Sequence, residues 1–310
     1  MGRIRGGVDF GMICKLMRTL AFAALAATAT ACSSQQTKAP TGEGAQIRVL
    51  TTISTFNSLA ESVGGARVVV DSLVPVGASP EDYEPTPSDI EKISNADVLI
   101  ENGLGLESWL ARTIDNAKND RLRIVVASKG LPQRGTNPHL WMDPVLAQGY
   151  VANIRDGLAA QEPRNASLFA RNAKTTDGRL VRLQKEIAAR IATIPPESRN
   201  MIVFHNAFEY YNTRFGLRTI GVVETSPGQE PNPQQLADLV KLARANHVRA
   251  VFAEPEYSPK LVQALAESAG IKTVQDLYDD SLGTNPLVRG YESMLRYDTR
   301  VIVQALGGKP

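Results

Sequence analysis

The chain has 310 residues, 43% hydrophobic and 21% charged, with a formal net charge of +2, which suits a globular protein long enough for two domains. Residues 1–31 carry Arg3, Arg5, Lys15 and Arg18 against Asp9, so the remainder holds 30 basic and 31 acidic residues, a net charge near −1. There is no basic patch or stripe of the kind a nucleic acid requires, which excludes that class of partner.

Met17 reads as the better initiator. After it, Arg18 precedes the apolar run Leu20-Ala-Phe-Ala-Ala-Leu-Ala-Ala27, and Ala29-Thr-Ala-Cys32-Ser-Ser follows. This is the charged, apolar, small-residue order of a secretory signal, and the run is too short to span a bilayer. Cys32 after small residues resembles a bacterial lipobox, whose cysteine is diacylated and becomes the first residue of the mature chain. Ala29 stands where that pattern usually has Leu, and Ala29-Thr-Ala31 is also a site for an ordinary signal peptidase. The only cysteines are Cys14 and Cys32. The first falls in the removed segment, so the folded body has no disulfide even in an oxidising compartment, and lipidation gives the second a purpose. Residues 1–31 are therefore expected to be a signal peptide and 32–46, polar and poor in apolar residues, a lipid-anchored flexible tether. The expected location is the periplasm or the outer face of the cytoplasmic membrane.

Short β-branched runs then alternate with helical patterns. Strands are predicted at Ile47–Thr52, Val68–Val74, Ala96–Glu101 and Arg123–Val126, with helices near 54–64, 87–94, 107–117 and 144–160. A second set has strands at 201–204, 217–222, 249–253 and 272–275 and helices near 206–214, 232–246, 258–268 and 285–306. Such alternation predicts βαβ units and parallel sheets. Between the sets, Asn165–Ile194 has no Pro and a single Gly178, with Phe169, Ala173, Leu180, Leu183, Ile187, Ile191 and Ile194 spaced mostly by three and four. It reads as one long amphipathic helix ended by Pro195-Pro196; a break at Gly178 into two helices is the alternative. The predicted fold is α/β: two similar lobes with mainly parallel sheets, 47–164 and 195–310, joined by one long linker helix, 165–194.

Three histidines are present. His139 lies in a Pro-bounded loop, Asn137-Pro-His-Leu-Trp-Met-Asp-Pro144. His205 follows the apolar strand Met201-Ile-Val-Phe204 and so falls at the carboxyl end of a parallel strand, the edge where open α/β sheets bind ligands. His247 sits at the end of a helix and reads as a solvated side chain.

Five stretches in order, from Val74-Pro-Val-Gly77 through Tyr83-Glu-Pro-Thr-Pro-Ser-Asp89, Asn137–Pro144, Phe204-His-Asn-Ala-Phe-Glu-Tyr-Tyr to Leu217, Phe252-Ala-Glu-Pro-Glu-Tyr-Ser-Pro259 and Leu277-Tyr-Asp-Asp-Ser-Leu-Gly283, resemble the metal-binding lipoproteins of bacterial zinc and manganese ABC importers. The resemblance covers about Ile47 to Leu306. It implies a solute-binding protein, not an enzyme, that is a monomer, holds the transported Mn²⁺ or Zn²⁺, with Fe²⁺ also compatible, between two lobes, and delivers it to a permease and its ATPase. It also implies metal ligands at Glu81, His139, His205 and Asp280. The first is a departure, because the family loop has histidine where this chain has Glu81. Asp82 and Glu84 remain open as alternatives to Glu81, and Asp279 to Asp280, while Glu254 and Glu230 read as residues supporting the ligands or the lobe interface. Mixed nitrogen and oxygen donors without thiolate accept Zn²⁺, Mn²⁺ or Fe²⁺. The extra oxygen, and the lack of histidine in Lys118–Asn137, lean toward Mn²⁺, whereas intrinsic affinity leans toward Zn²⁺. A two-His, one-carboxylate hydrolase or oxygenase site is the enzymatic alternative, but no H-E-x-x-H or comparable motif occurs. A surface adhesin role has no independent support in the sequence.

Overall fold

The computed structural model describes residues 46–309 apart from Pro227, Glu256, Asp276 and Thr284. The predicted signal peptide, the lipidation site Cys32 and all but the last residue of the predicted tether lie outside the described residues. Strands β1 (Ile47–Thr51), β2 (Val68–Ser72), β3 (Val98–Glu101) and β4 (Arg123–Val126) form an all-parallel sheet in the order β2-β1-β3-β4. Strands β5 (Asn200–Val203), β6 (Arg218–Val222), β7 (Ala250–Phe252) and β8 (Lys272–Val274) form a second in the order β6-β5-β7-β8. The two lobes thus share one strand order. Parallel neighbours need long crossovers, here supplied by α1 (Thr55–Gly64), α2 (Pro87–Asn95) and α3 (Leu110–Ala117) in the first lobe and by α6 (Glu209–Phe215), α7 (Pro233–Ala245) and α8 (Pro259–Ala269) in the second. The central strands are buried on both faces, which is why Val98-Leu-Ile and Asn200-Met-Ile-Val are near-continuous apolar runs.

After β4, α4 (Pro144–Gln161) leads into α5 (Ala166–Ile191), a single helix of 26 residues and about 39 Å at 1.5 Å per residue. It runs unbroken through Gly178. Its buried face is Phe169, Ala173, Thr176, Leu180, Leu183, Ile187 and Ile191, the three-and-four spacing that puts these residues on one stripe. That stripe packs against α1 and α4 of the first lobe and against α9 (Tyr291–Ala305), the last helix of the chain. One apolar core therefore passes from Phe56, Trp141 and Tyr150 across α5 to Tyr211 and Leu295. Arg179–Glu292 at 2.6 Å and Arg296–Glu186 at 2.9 Å add ion pairs between α5 and α9. A hinge that swung the lobes widely apart would tear this shared core, so α5 acts as a stiff strut.

Because every strand is parallel, the carboxyl ends of each sheet lie along one edge, and the loops that leave those edges carry all the predicted ligands: 73–86, 127–143, 204–208 and 275–290. Among the described residues no helix is long and apolar enough to cross a membrane.

A Cβ built on Gly178 meets only the far end of Arg182, at 3.8 Å. Glycine in a helix interior costs roughly 0.5–1 kcal/mol relative to alanine. Gly178→Ala is therefore expected to raise the melting temperature by about 1–4 °C, measured by thermal unfolding.

Candidate metal centre

Each predicted ligand reaches the cleft from a different strand end. Glu81 comes from the loop after β2, His139 from the long loop after β4, His205 from the loop after β5 and Asp280 from the loop after β8. His139 Nε2 lies 3.9 Å from Glu81 Oε1 and 3.7 Å from Asp280 Oδ1. The His139 and His205 rings are 5.2 Å apart between centroids. Donor atoms of His139, His205 and Asp280 all lie within 4.8 Å of one another, the spacing a single ion requires. Of the acidic cluster in the first loop, Glu81 turns inward while Asp82 and Glu84 are exposed.

A second trio with the same spacing consists of His205, Glu254 and Asp279. His205 Nδ1 is 3.3 Å from Glu254 Oε2, and its Nε2 is 3.3 Å from Asp279 Oδ2. Asp279 and Asp280 are thus both buried in the cluster. Glu254, at the carboxyl end of β7, is only 1% exposed and braces His205 as a carboxylate typically braces a metal-binding imidazole. Glu230, grouped with it in the sequence reading, is instead solvent-exposed. His247 is exposed just beyond α7, as expected.

Two imidazoles therefore share a largely buried space with four carboxyl groups. Burial pushes the His139 pKa well below its ordinary value, and the neighbouring His205 adds to the effect. Burial opposes charge on His205 too, but Glu254 and Asp279 outweigh it and raise its pKa. Burial also raises Glu81 and, with help from Glu254, Asp279. His139 Nε2, both ring nitrogens of His205 and Asp279 Oδ2 are buried without a hydrogen-bond partner. Leaving such atoms unsatisfied costs about 1–3 kcal/mol each. A dication coordinated through His139 Nε2, His205 Nε2 and Asp279 Oδ2 would satisfy those three atoms together, with His205 Nδ1 turned to Glu254 Oε2, and the donor set fits Mn²⁺, Fe²⁺ or Zn²⁺. A cleft of about 480 Å³, lined by Arg134, Glu209 and Glu224 as well as Glu81, His139 and His205, leads from solvent to the cluster.

The loops are held by buried polar contacts that cross between the lobes. Thr55 Oγ1 and Trp141 Nε1 both donate to the Asp279 carbonyl, at 2.8 and 3.1 Å. Leu282 N–H donates to Ser54 Oγ at 2.8 Å, and Tyr291 O–H to the Trp141 carbonyl at 2.5 Å. Arg214 on α6 forks onto Asp143, which also caps α4 by accepting from Val145 N–H. Within the first lobe, Glu107 accepts from Thr52 Oγ1 and from the amides of Asn102 and Gly103. Asn102 in turn donates to the Pro138 carbonyl beside His139. Glu107 and Asn102 were not singled out by sequence reasoning, because neither lies in a stretch with recognisable spacing.

The profile of the family described as zinc-uptake complex component A, periplasmic, matches residues 49–305. The chain belongs to this family. Members of the zinc-uptake component family are solute-binding transport proteins, not enzymes. The chain is similar to the manganese-binding lipoprotein MntA of Halalkalibacterium halodurans, 30% identical over 91% of this chain and 95% of that protein. It is also similar to the iron-binding protein YfeA of Yersinia pestis, 29% identical over 94% and 95%. Among solved structures, the Mn-bound periplasmic metal-binding protein of Candidatus Liberibacter asiaticus superposes with a TM-score of 0.75 at 26% identity, covering 84% of this chain and 100% of that one. The periplasmic zinc-binding protein TroA of Treponema pallidum shares the fold, with a TM-score of 0.77 at 23% identity over 84% of this chain and 99% of TroA.

Glu107 supplies a stability test of the frame. Burial pushes its pKa from 4.5 up to about 7, against the pull of its three donors. A raised carboxyl pKa means the folded state binds a proton that the unfolded state has released, so the fold loses stability as pH rises from about 4.5 to 7. At about 1.4 kcal/mol per pKa unit the loss is of order 3 kcal/mol. Glu107→Gln is expected to remove this component: the variant's melting temperature should gain on that of the unsubstituted protein between pH 5 and pH 7.5. A constant offset across that range would contradict it.

Proposed function

We propose that this protein is the extracytoplasmic solute-binding component of a metal ABC importer, which takes a divalent transition metal between its lobes and delivers it to the permease and its ATPase. The observation that carries this reading is the convergence of two buried imidazoles and several buried carboxyl groups on one space at the facing strand edges, in a chain of the zinc-uptake component family. The metal is cargo. We assign its ligands to Glu81, His139, His205 and Asp280, two from each lobe, with Asp279 beside the ion and Glu254 orienting His205. Cys32 is the proposed point of lipid attachment, with the following polar segment as tether, and the protein acts as a monomer. A catalytic role is not supported, since catalysis needs an open coordination position and a base, and four ligands close the site. An adhesin role gains no support either.

Mn²⁺ is the favoured cargo, with Zn²⁺ and Fe²⁺ as competitors. Relatives are named for manganese and for iron and the family for zinc, so kinship does not choose among them. The donors do: Glu81 adds an oxygen, and Asp279 stands ready to add another, and oxygen-rich shells suit Mn²⁺ better than a compact four-coordinate zinc site. Delivery then follows from the frame. The ion is held by side chains from both lobes, and α5 with the cross-lobe contacts resists wide opening, so release proceeds by local withdrawal of a ligand loop when the permease engages the cleft.

Metal analysis of protein purified without chelators is expected to find one transition-metal ion per chain. His139→Ala and His205→Ala should each weaken binding by more than about 100-fold, beyond the 10- to 100-fold typical of losing a residue that merely supports a ligand. In competition, Glu81→His should shift preference from Mn²⁺ toward Zn²⁺. High-affinity binding retained by the double histidine variant would sink the assignment.

A further inference from the structure

The loop that carries His139 is fastened to the other lobe by one side-chain amide. Asn137 Oδ1 accepts from the His139 backbone N–H at 3.0 Å and lies 2.9 Å from His139 Nδ1. Its Nδ2 donates to the Asn206 carbonyl at 2.7 Å and to Glu209 Oε2 at 2.9 Å. Glu209, the first residue of α6, holds Asn206 by a second bond from Asn206 Nδ2 at 2.9 Å. Tyr210 O–H, next in sequence, donates to the Asn137 carbonyl and accepts from Arg134 N–H.

The orientation of this amide is set from both sides, by His139 on one and by Asn206 and Glu209 on the other. Turned by 180°, it would set an NH₂ group against the His139 N–H, which can only donate. It would also set an oxygen against a carbonyl and a carboxylate, which can only accept. The carbonyl of Asn137 therefore faces the imidazole, and a carbonyl offers Nδ1 only an acceptor. The single proton of the neutral ring must then sit on Nδ1, which leaves a lone pair on Nε2, the nitrogen that faces Glu81 and Asp280. That tautomer alone can coordinate an ion at the centre of the cluster.

We propose that Glu209 of the second lobe is a positioning residue for His139 of the first, acting through the side-chain amide of Asn137 to hold His139 in the tautomer that binds metal through Nε2. The inference deepens the metal-binding reading and rests on it for its purpose, although the tautomer itself is a property of the metal-free protein. It makes the first lobe's histidine dependent on contact with the second. When the 204–209 segment is drawn away from the 137–139 loop, Asn137 loses two acceptors, its amide is held on one side only, and His139 loses its bias just as His205 moves away opposite it. Affinity with that segment withdrawn then falls further than the loss of one ligand would bring about, which favours release.

The test is nitrogen-15 NMR of the imidazoles in the metal-free mature chain, where three histidines allow assignment by single His→Ala variants, together with the Kd for Mn²⁺. The unsubstituted protein should show His139 as the Nδ1–H form. Glu209→Ala and Asn137→Ala should each populate the Nε2–H form and weaken Mn²⁺ binding by about 10- to 100-fold. Glu209→Gln retains an acceptor oxygen and should restore both. A Glu209→Ala protein with unchanged tautomer overturns the proposal whether or not its affinity falls. If the unsubstituted protein shows the Nδ1–H form but binds no metal, the relay stands and the metal-binding reading fails.

Discussion

Crowding carboxyl groups around two largely buried imidazoles at the foot of the cleft is the constraint around which the molecule is arranged. Glu254, Asp279 and Asp280 are each at most 4% exposed, and all lie with Glu81 about the two histidines. Two like charges 4 Å apart repel by about 4 kcal/mol even at an effective dielectric constant of 20. Glu254 and Asp279 raise the pKa of His205 against its burial and so favour a charge that opposes this repulsion. The rest is relieved only by protonation or by a cation, which is the physical basis for reading the cluster as a receptor for a dication.

Such a cluster needs a frame that can withstand its repulsion. The parallel sheets bring strand ends with divergent sequences to one edge, and the shared core along α5 sets the two edges face to face. Hydrogen bonds from Thr55 and Trp141 to the Asp279 carbonyl, and from the Leu282 N–H to Ser54, tie a ligand loop of the second lobe directly onto the first. At roughly 1 kcal/mol each they resist lobe separation modestly, whereas rupture of the apolar core along α5 would cost far more. Motion is thereby confined to loops at the cleft while the lobes keep their relation, a regime suited to a carrier that must hold its ion tightly and still give it up on contact with a partner.

In the proposed site, metal choice turns on one position. Glu81 stands where the resembling loop has histidine, and its carboxyl group replaces a neutral nitrogen with an anionic oxygen. The exchange raises the negative charge of the cluster and, with Asp279 close at hand, allows a higher coordination number than four. Both changes act in the same direction, toward the harder ions of the transition series.

Much was legible in the sequence because it depends on local periodicity. The alternation of β-branched runs with helical stretches determined the two parallel lobes, and the three-and-four spacing from Phe169 to Ile191 pointed to one long helix, whose continuity through Gly178 the structure decided. Position at a strand's carboxyl end marked His205, and the motif resemblance marked Glu81, His139 and Asp280 as residues that would meet. Tertiary structure alone decided which of the neighbouring carboxyl groups face inward. Glu81 points in while Asp82 and Glu84 point out, Asp279 joins Asp280, and Glu254 is engaged while Glu230 is exposed. It alone also revealed Asn137 and Glu209 beside His139, and Glu107 beneath the loop. The reason is physical: periodicity dictates which face of a strand or helix is buried, but in a loop the direction of a side chain is set by what packs against it, and here the packing partners come from the other lobe.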